Sequence, residues 1–81
     1  MYGIETRYLG PTDTRGARIK ARLLDHSSGD PTATIAYEYA ADAITRHENA
    51  ARALIAKFDA KRTGCKLAVA GATNGYVWIP L

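Results

Sequence analysis

The chain has few of the residues that usually hold a small protein together. Its 81 residues include one cysteine, one tryptophan and one phenylalanine. A single cysteine cannot form an internal disulfide, which excludes the disulfide-stapled secreted folds and is typical of a reducing cytoplasm. Few large apolar side chains are available for a core, so we expect one domain over residues 1–81 with modest stability.

Long apolar runs are also missing. No stretch approaches the roughly 20 residues that an α-helix needs to span a membrane. The first ten residues, MYGIETRYLG, lack the charged and apolar regions of a signal peptide. We therefore expect a cytoplasmic protein with no membrane partner.

Signatures of catalysis and of metal binding are absent too. The sequence has no nucleophile elbow, no phosphate-binding loop and no dinucleotide fingerprint, and it has no CxxC or HxxxH spacing. His47 falls in a first helical turn, where packing is the simpler role. We predict a protein that is not an enzyme and needs no cofactor. A metal-free hydrolase built on Asp25 and His26 is the minor alternative.

One segment has a clear helical period, namely TRHENAARALIAKFDAKR, from Thr45 to Arg62. Thr45 and Glu48 predict a capping box at its start, and Gly64 predicts a cap at its end. Its apolar stripe predicts the buried face, with Phe58 as a core residue. The members of this stripe are Ala50, Ala51, Leu54, Ile55 and Phe58.

Strand patterns lie on both sides of the helix, at residues 2–9, 17–24, 32–39, 66–73 and 76–81. The clearest is ARIKARLL, in which small and apolar residues alternate with Arg18, Lys20 and Arg22. Asn74-Gly75 predicts a two-residue type I′ hairpin turn between the last two strands. The fold expected is α+β, an antiparallel sheet with one helix on one face, in the order β-β-β-α-β-β.

The face of the sheet opposite the helix is where we look for function. Cations are densest near the first two strands, and aromatic residues could add contact surface. The predicted partner-binding residues are Arg7, Arg15, Arg18, Lys20, Arg22, Tyr8, Tyr76 and Trp78. Such a surface suits a protein partner, since Tyr, Trp and Arg dominate interface hot spots. It also suits single-stranded nucleic acid, and alternating cations are otherwise simply the solvated face of a strand.

The segment TRYLGPTDTRGARIKA, from Thr6 to Ala21, resembles a recurring segment in small proteins encoded by bacteriophages and other mobile elements of bacteria. HENAARALIAKF, from His47 to Phe58, and NGYVWI, from Asn74 to Ile79, extend the resemblance over most of the chain. The family has no settled biochemical role, so the resemblance implies a genomic setting in a bacterial host. It transfers no functional residue.

That setting favours a binding protein that blocks a bacterial defence complex, as anti-CRISPR proteins do, with a CRISPR effector as an example of the partner. Many such inhibitors are acidic mimics of nucleic acid, whereas this chain carries a formal charge of +3. We therefore expect it to occlude a protein surface. A small nucleic-acid-binding module is the alternative, and a homodimer is left open because the core is small.

Overall fold

A five-stranded antiparallel sheet with one helix against one face forms the fold, as the sequence predicts. The structure, a computed structural model, describes residues 2–24, 29–37, 42–72 and 75–81. The elements are β1 (Ile4–Leu9), β2 (Arg18–Leu23), β3 (Thr32–Ala36), α1 (Ala43–Phe58), β4 (Leu67–Ala72) and β5 (Gly75–Pro80). The strands lie in the order β3-β2-β1-β5-β4, so the first strand of the chain is central in the sheet.

Helix α1 begins earlier than its sequence predicts. Asp42 is the N-cap, and its Oδ1 accepts the backbone N–H of Thr45 at 2.8 Å. This hydrogen bond lowers the pKa of the Asp42 carboxyl. The predicted capping box is wrong, because the Glu48 carboxylate binds Nε of Arg52 at 2.8 Å instead.

The end of α1 also differs from the prediction. The helix stops at Phe58, and a short 3₁₀ turn, Ala60–Arg62, follows it. Gly64 does not have the positive φ of a helix cap, since Gly29 is the one described glycine that has it. Phe58 is 37% exposed and meets Tyr2 edge-on, with 5.0 Å between ring centroids. The prediction that Phe58 belongs to the core is therefore wrong.

The core lies between α1 and one face of strands β1, β2, β3 and β5. Alternation in each strand turns every second side chain toward the helix, and small residues on both elements let them approach closely. The buried apolar residues are Ile4, Ile19, Ala21, Ala33, Ala50, Ala51, Leu54, Ile55 and Trp78. Burying each larger aliphatic side chain of this set stabilises the fold by roughly 1.5–3 kcal/mol.

The helix covers the sheet unevenly. It packs mainly on β2 and β3, less on β1, still less on β5 and least on β4. Every residue of β4 after Leu67 is exposed. We call β1, β2 and β3 the covered half of the sheet, and β4 and β5 the uncovered half.

Hairpin β4–β5 pairs two residues away from the predicted register. Gly71 lies opposite Tyr76, and Ala72 lies opposite Gly75. Gly75 is therefore a strand residue and not part of the turn, while Asn74 lies outside the described residues. A Cβ on Gly75 would overlap the carbonyl oxygen of Thr6, so this glycine allows β5 to approach β1 closely. Because the shift is two residues, the predicted faces of the hairpin are unchanged.

Candidate functional site

The face of the sheet opposite α1 collects most of the predicted cations. Across the β1–β2 pair, Glu5 lies opposite Arg22, Arg7 opposite Lys20, and Leu9 opposite Arg18. Antiparallel strands place directly opposed side chains on the same face, so these residues form one surface. We call it the basic face and define it by Arg7, Arg18, Lys20 and Arg22, with Glu5 and Leu9 between them.

Glu5 orients part of the basic face. Nε of Arg22 donates to its Oε1 at 2.8 Å, and Nη2 of Arg7 lies 3.9 Å from the same oxygen. These pairs are partly exposed, and such pairs contribute only about 0–1 kcal/mol to stability. Lys20 is exposed and has no ion pair within the described chain. The carboxylate therefore holds the guanidinium of Arg22 in place and leaves a surplus of positive charge.

A shallow depression lies in the middle of the basic face. It has a volume of about 190 Å³ and is lined by Glu5, Arg7, Leu9, Lys20 and Arg22. Pockets that bind small molecules are usually concave and measure about 300–1,000 Å³. The shape therefore suits contact with a larger partner better than enclosure of a small ligand.

Arg15 lies beside this face and not on a strand. Its N–H donates to Oγ1 of Thr12 at 3.1 Å, and its carbonyl accepts the N–H of Thr12 at 2.7 Å. This turn brings Arg15 to a wide hollow of about 310 Å³ that Arg18 and Thr34 also line. The five predicted cations are thus gathered at one side of the molecule.

The predicted aromatic residues lie elsewhere. Trp78 is 2% exposed, and its Nε1–H donates to Oγ1 of Thr6 at 3.0 Å. Tyr76 is half-buried, with its ring 4.9 Å from that of His47. Their register with β1, Trp78 opposite Ile4 and Tyr76 opposite Thr6, turns both toward the helix. The expectation that these two rings are exposed beside the cations is wrong.

Tyr8 is 43% exposed but also shares the helix side of β1 with Ile4 and Thr6. Its ring packs edge-on against Tyr37, with centroids 5.2 Å apart. The basic face therefore has no aromatic side chain among the residues that the structure describes.

A buried polar cluster was missed by the sequence analysis. Oγ1 of Thr6 lies 2.9 Å from Nδ1 of His47 and also accepts from Trp78. His47 is 6% exposed, as its predicted packing role requires, and this burial lowers its pKa. The signal in the sequence was a threonine on the inward side of β1, which needs polar partners when it is buried.

The remaining sequence hypotheses fall outside these sites. Asp25 and His26, the pair of the hydrolase alternative, lie outside the described residues. In the described part of the chain, no group of three or more His, Cys, Asp or Glu side chains comes together as metal ligands would. No helix there is both long and apolar enough to cross a bilayer.

Comparisons with known protein families, with curated proteins and with solved structures found no match to this chain. The resemblance to proteins of bacteriophages and mobile elements therefore stays a prediction from the sequence.

Proposed function

We propose that this chain is a non-enzymatic accessory protein of a bacteriophage or mobile element that binds and inhibits a bacterial defence complex, such as a CRISPR effector. The observation that carries the binding surface is the basic face, where Arg7 lies opposite Lys20 and Glu5 opposite Arg22. The class of target rests on the sequence resemblance. Inhibition follows from occlusion of a partner surface.

The chemistry of the basic face favours an acidic protein surface as the partner. Arg7, Lys20 and Arg22 project from the two strands that pair along the middle of the sheet, so their backbones are well supported. The Glu5 carboxylate already restrains Arg22, which reduces the entropy lost when a partner carboxylate binds. Leu9 supplies an apolar contact at the end of the same face.

Single-stranded nucleic acid is supported less well as the partner. Modules that bind it place aromatic rings on the surface that also carries the cations, because bases stack on those rings. Here Tyr76 and Trp78 point to the opposite side of the sheet. A nucleic acid could then bind through its phosphates alone, and its affinity would fall steeply with salt.

Two matched charge reversals test the proposal. The first replaces Arg7 and Lys20 by glutamate, which removes two exposed cations of the basic face and leaves the Glu5–Arg22 pair intact. The control makes Lys61→Glu and Lys66→Glu, two exposed cations that lie on neither β1 nor β2. Both variants change the net charge equally, so a difference between them reports position and not total charge.

The measurement is a tagged pull-down from a bacterial lysate that contains CRISPR systems, with and without nuclease, followed by an activity assay of the recovered complex. We expect one complex with wild type and with the control variant in both samples, and none with the Arg7/Lys20 variant. Adding the wild-type protein should lower the activity of that complex. Capture that disappears with nuclease would favour the phosphate-binding alternative, and equal loss in both variants would contradict a localised site.

A further inference from the structure

The outer edge of β4 has backbone groups that no described strand pairs with. The N–H of Leu81 donates to the carbonyl of Lys66 at 2.9 Å, so Lys66 and Leu81 form a hydrogen-bonded pair. Hydrogen-bonded and non-bonded pairs alternate along an antiparallel ladder. Ala68, Ala70 and Ala72 therefore direct their backbones toward β5. Leu67, Val69 and Gly71 direct their N–H and C=O groups outward, where β4 ends the sheet.

The opposite edge of the sheet is protected, and β4 is not. At β3, helix α1 packs over the strand, Nζ of Lys57 donates to the carbonyl of Thr32 at 2.7 Å, and Pro31 precedes the strand. Charges, prolines and covering helices are the devices that keep edge strands from pairing with other chains. The segment LAVAGA of β4 contains no charge and no proline.

We propose that β4 pairs antiparallel with β4 of a second copy of this chain, across a two-fold axis at Val69. The two sheets then continue into one another. In this register Val69 lies opposite Val69 of the second copy, and Leu67 lies opposite Gly71. Every outward N–H and C=O of Leu67, Val69 and Gly71 finds a partner, because these residues are symmetric about Val69. In the neighbouring register, centred on Ala70, the N–H and C=O groups of Leu67 would have no partner within β4 of the second copy.

Side-chain size and charge both favour a second copy as the occupant. The self-paired register sets the largest side chain of the strand, Leu67, against Gly71, which has none. A chain with a net charge of +3 repels itself, but its strand cations lie on β1 and β2 and none lies on β4. Two copies can thus approach at the neutral edge. An acidic partner would find no charge to pair with along β4.

The dimer should be weak. One added strand pair buries less surface than the roughly 1,200 Å² of a stable specific interface. Val69 is 42% exposed in the single chain, and dimer formation would bury part of that exposed surface. The association should therefore depend on protein concentration.

Sedimentation equilibrium over a wide concentration range tests the proposal. Wild type should shift from monomer to dimer as its concentration rises. Val69→Glu sets two carboxylates directly opposite each other across the axis, and it should lower the association constant at least tenfold. Thr34→Glu makes the same change of charge on the exposed face of β3 at the protected edge, and should dimerise as wild type does. A wild type that stays monomeric, or equal losses in both variants, would overturn the proposal.

A cross-linking experiment tests the register even if Val69→Glu folds poorly. In a Cys65→Ser background, Val69→Cys should form a disulfide-linked dimer on mild oxidation, since opposed residues place their Cα atoms about 5.5 Å apart. Thr34→Cys in the same background should remain monomeric. Equal cross-linking of the two variants would indicate random collision. Val69 lies opposite Trp78 on the helix side of the sheet. The Val69 substitutions therefore leave the basic face unchanged, and their outcome is independent of partner binding by that face.

Discussion

The covered and uncovered halves of the sheet are stabilised in different ways. In the covered half, Ile4, Ile19 and Leu54 are fully buried between α1 and the strands. In the uncovered half, β5 is anchored by Trp78, and β4 is attached through its ladder to β5. The single helix packs mainly on β2 and β3, at one side of the sheet. Stability is therefore concentrated at one end of the sheet, and the other end offers exposed backbone for association.

The largest difference between the two halves is expected when an aliphatic side chain is truncated in each. Leu54→Ala leaves a cavity under the helix and should cost roughly 3 kcal/mol of unfolding free energy. Val69→Ala, on the exposed edge strand, should cost less than about 1 kcal/mol. Chemical denaturation at low protein concentration, where the chain is monomeric, measures both. Equal losses would show that the two halves are equally packed.

The junction between the halves is tested by glycine substitutions. Gly75→Ala places a Cβ against the carbonyl of Thr6, so β5 must move away from β1, at a cost of about 2–3 kcal/mol. Gly71→Ala is the control, since its Cβ would meet no atom within 4 Å. Thermal melts of the two variants should differ clearly. Similar melting temperatures would mean that β5 does not approach β1 closely at this point.

The buried polar cluster links the halves through hydrogen bonds. Thr6→Val keeps the shape of the side chain but removes the oxygen that Trp78 and His47 contact, and unpaired buried groups cost about 1–3 kcal/mol. Thr34→Val, at an exposed position, should change stability little. Denaturant titration of both variants checks this. A stable Thr6→Val variant would show that the cluster does not contribute to folding.

The pH dependence of stability should report His47. Burial lowers its folded pKa below the value of 6.5 for a free histidine, so the unfolded chain binds the proton more tightly. The stability contributed by neutral His47 is therefore complete above pH 6.5 and is lost as the pH falls through the folded pKa. Thr6 and Tyr76 face this ring, and neither carries a charge to offset the proton. Relative to His47→Asn, wild type should lose stability as the pH is lowered below 6.5. Parallel curves from pH 7.5 to 5 would contradict this.

The smallest expected effect concerns the start of the helix. Asp42→Ala removes the acceptor for the Thr45 N–H and should lower the melting temperature. Thr45→Ala should have less effect, since the Thr45 backbone, and not its side chain, makes this bond. A larger loss of melting temperature for Thr45→Ala than for Asp42→Ala would instead favour the capping box that the sequence predicts.

The pattern of the sequence was sufficient to predict the helix, the strands and their order along the chain. Alternation in ARIKARLL set Ile19 and Ala21 against the helix and Lys20 on the open face. The pattern was not sufficient to predict the residues at which the elements begin and end. Asp42 and Thr45 can both cap a helix, and local pattern does not choose between them; in the structure Asp42 is the N-cap. Phe58 fits the helical stripe, but it lies where the sheet no longer covers that stripe.

The sequence by itself determined the α+β class, the five strands, the helix and the inward set of β2, because each depends on local periodicity and on a strand's two-residue repeat. Tertiary structure decided the strand order, which half α1 covers and which face of the β4–β5 hairpin is buried. Both faces of that hairpin are apolar, so only its pairing with β1, Tyr76 opposite Thr6 and Trp78 opposite Ile4, could turn the two aromatic rings inward. The same pairing separates them from the cations and leaves β4 at the unprotected edge.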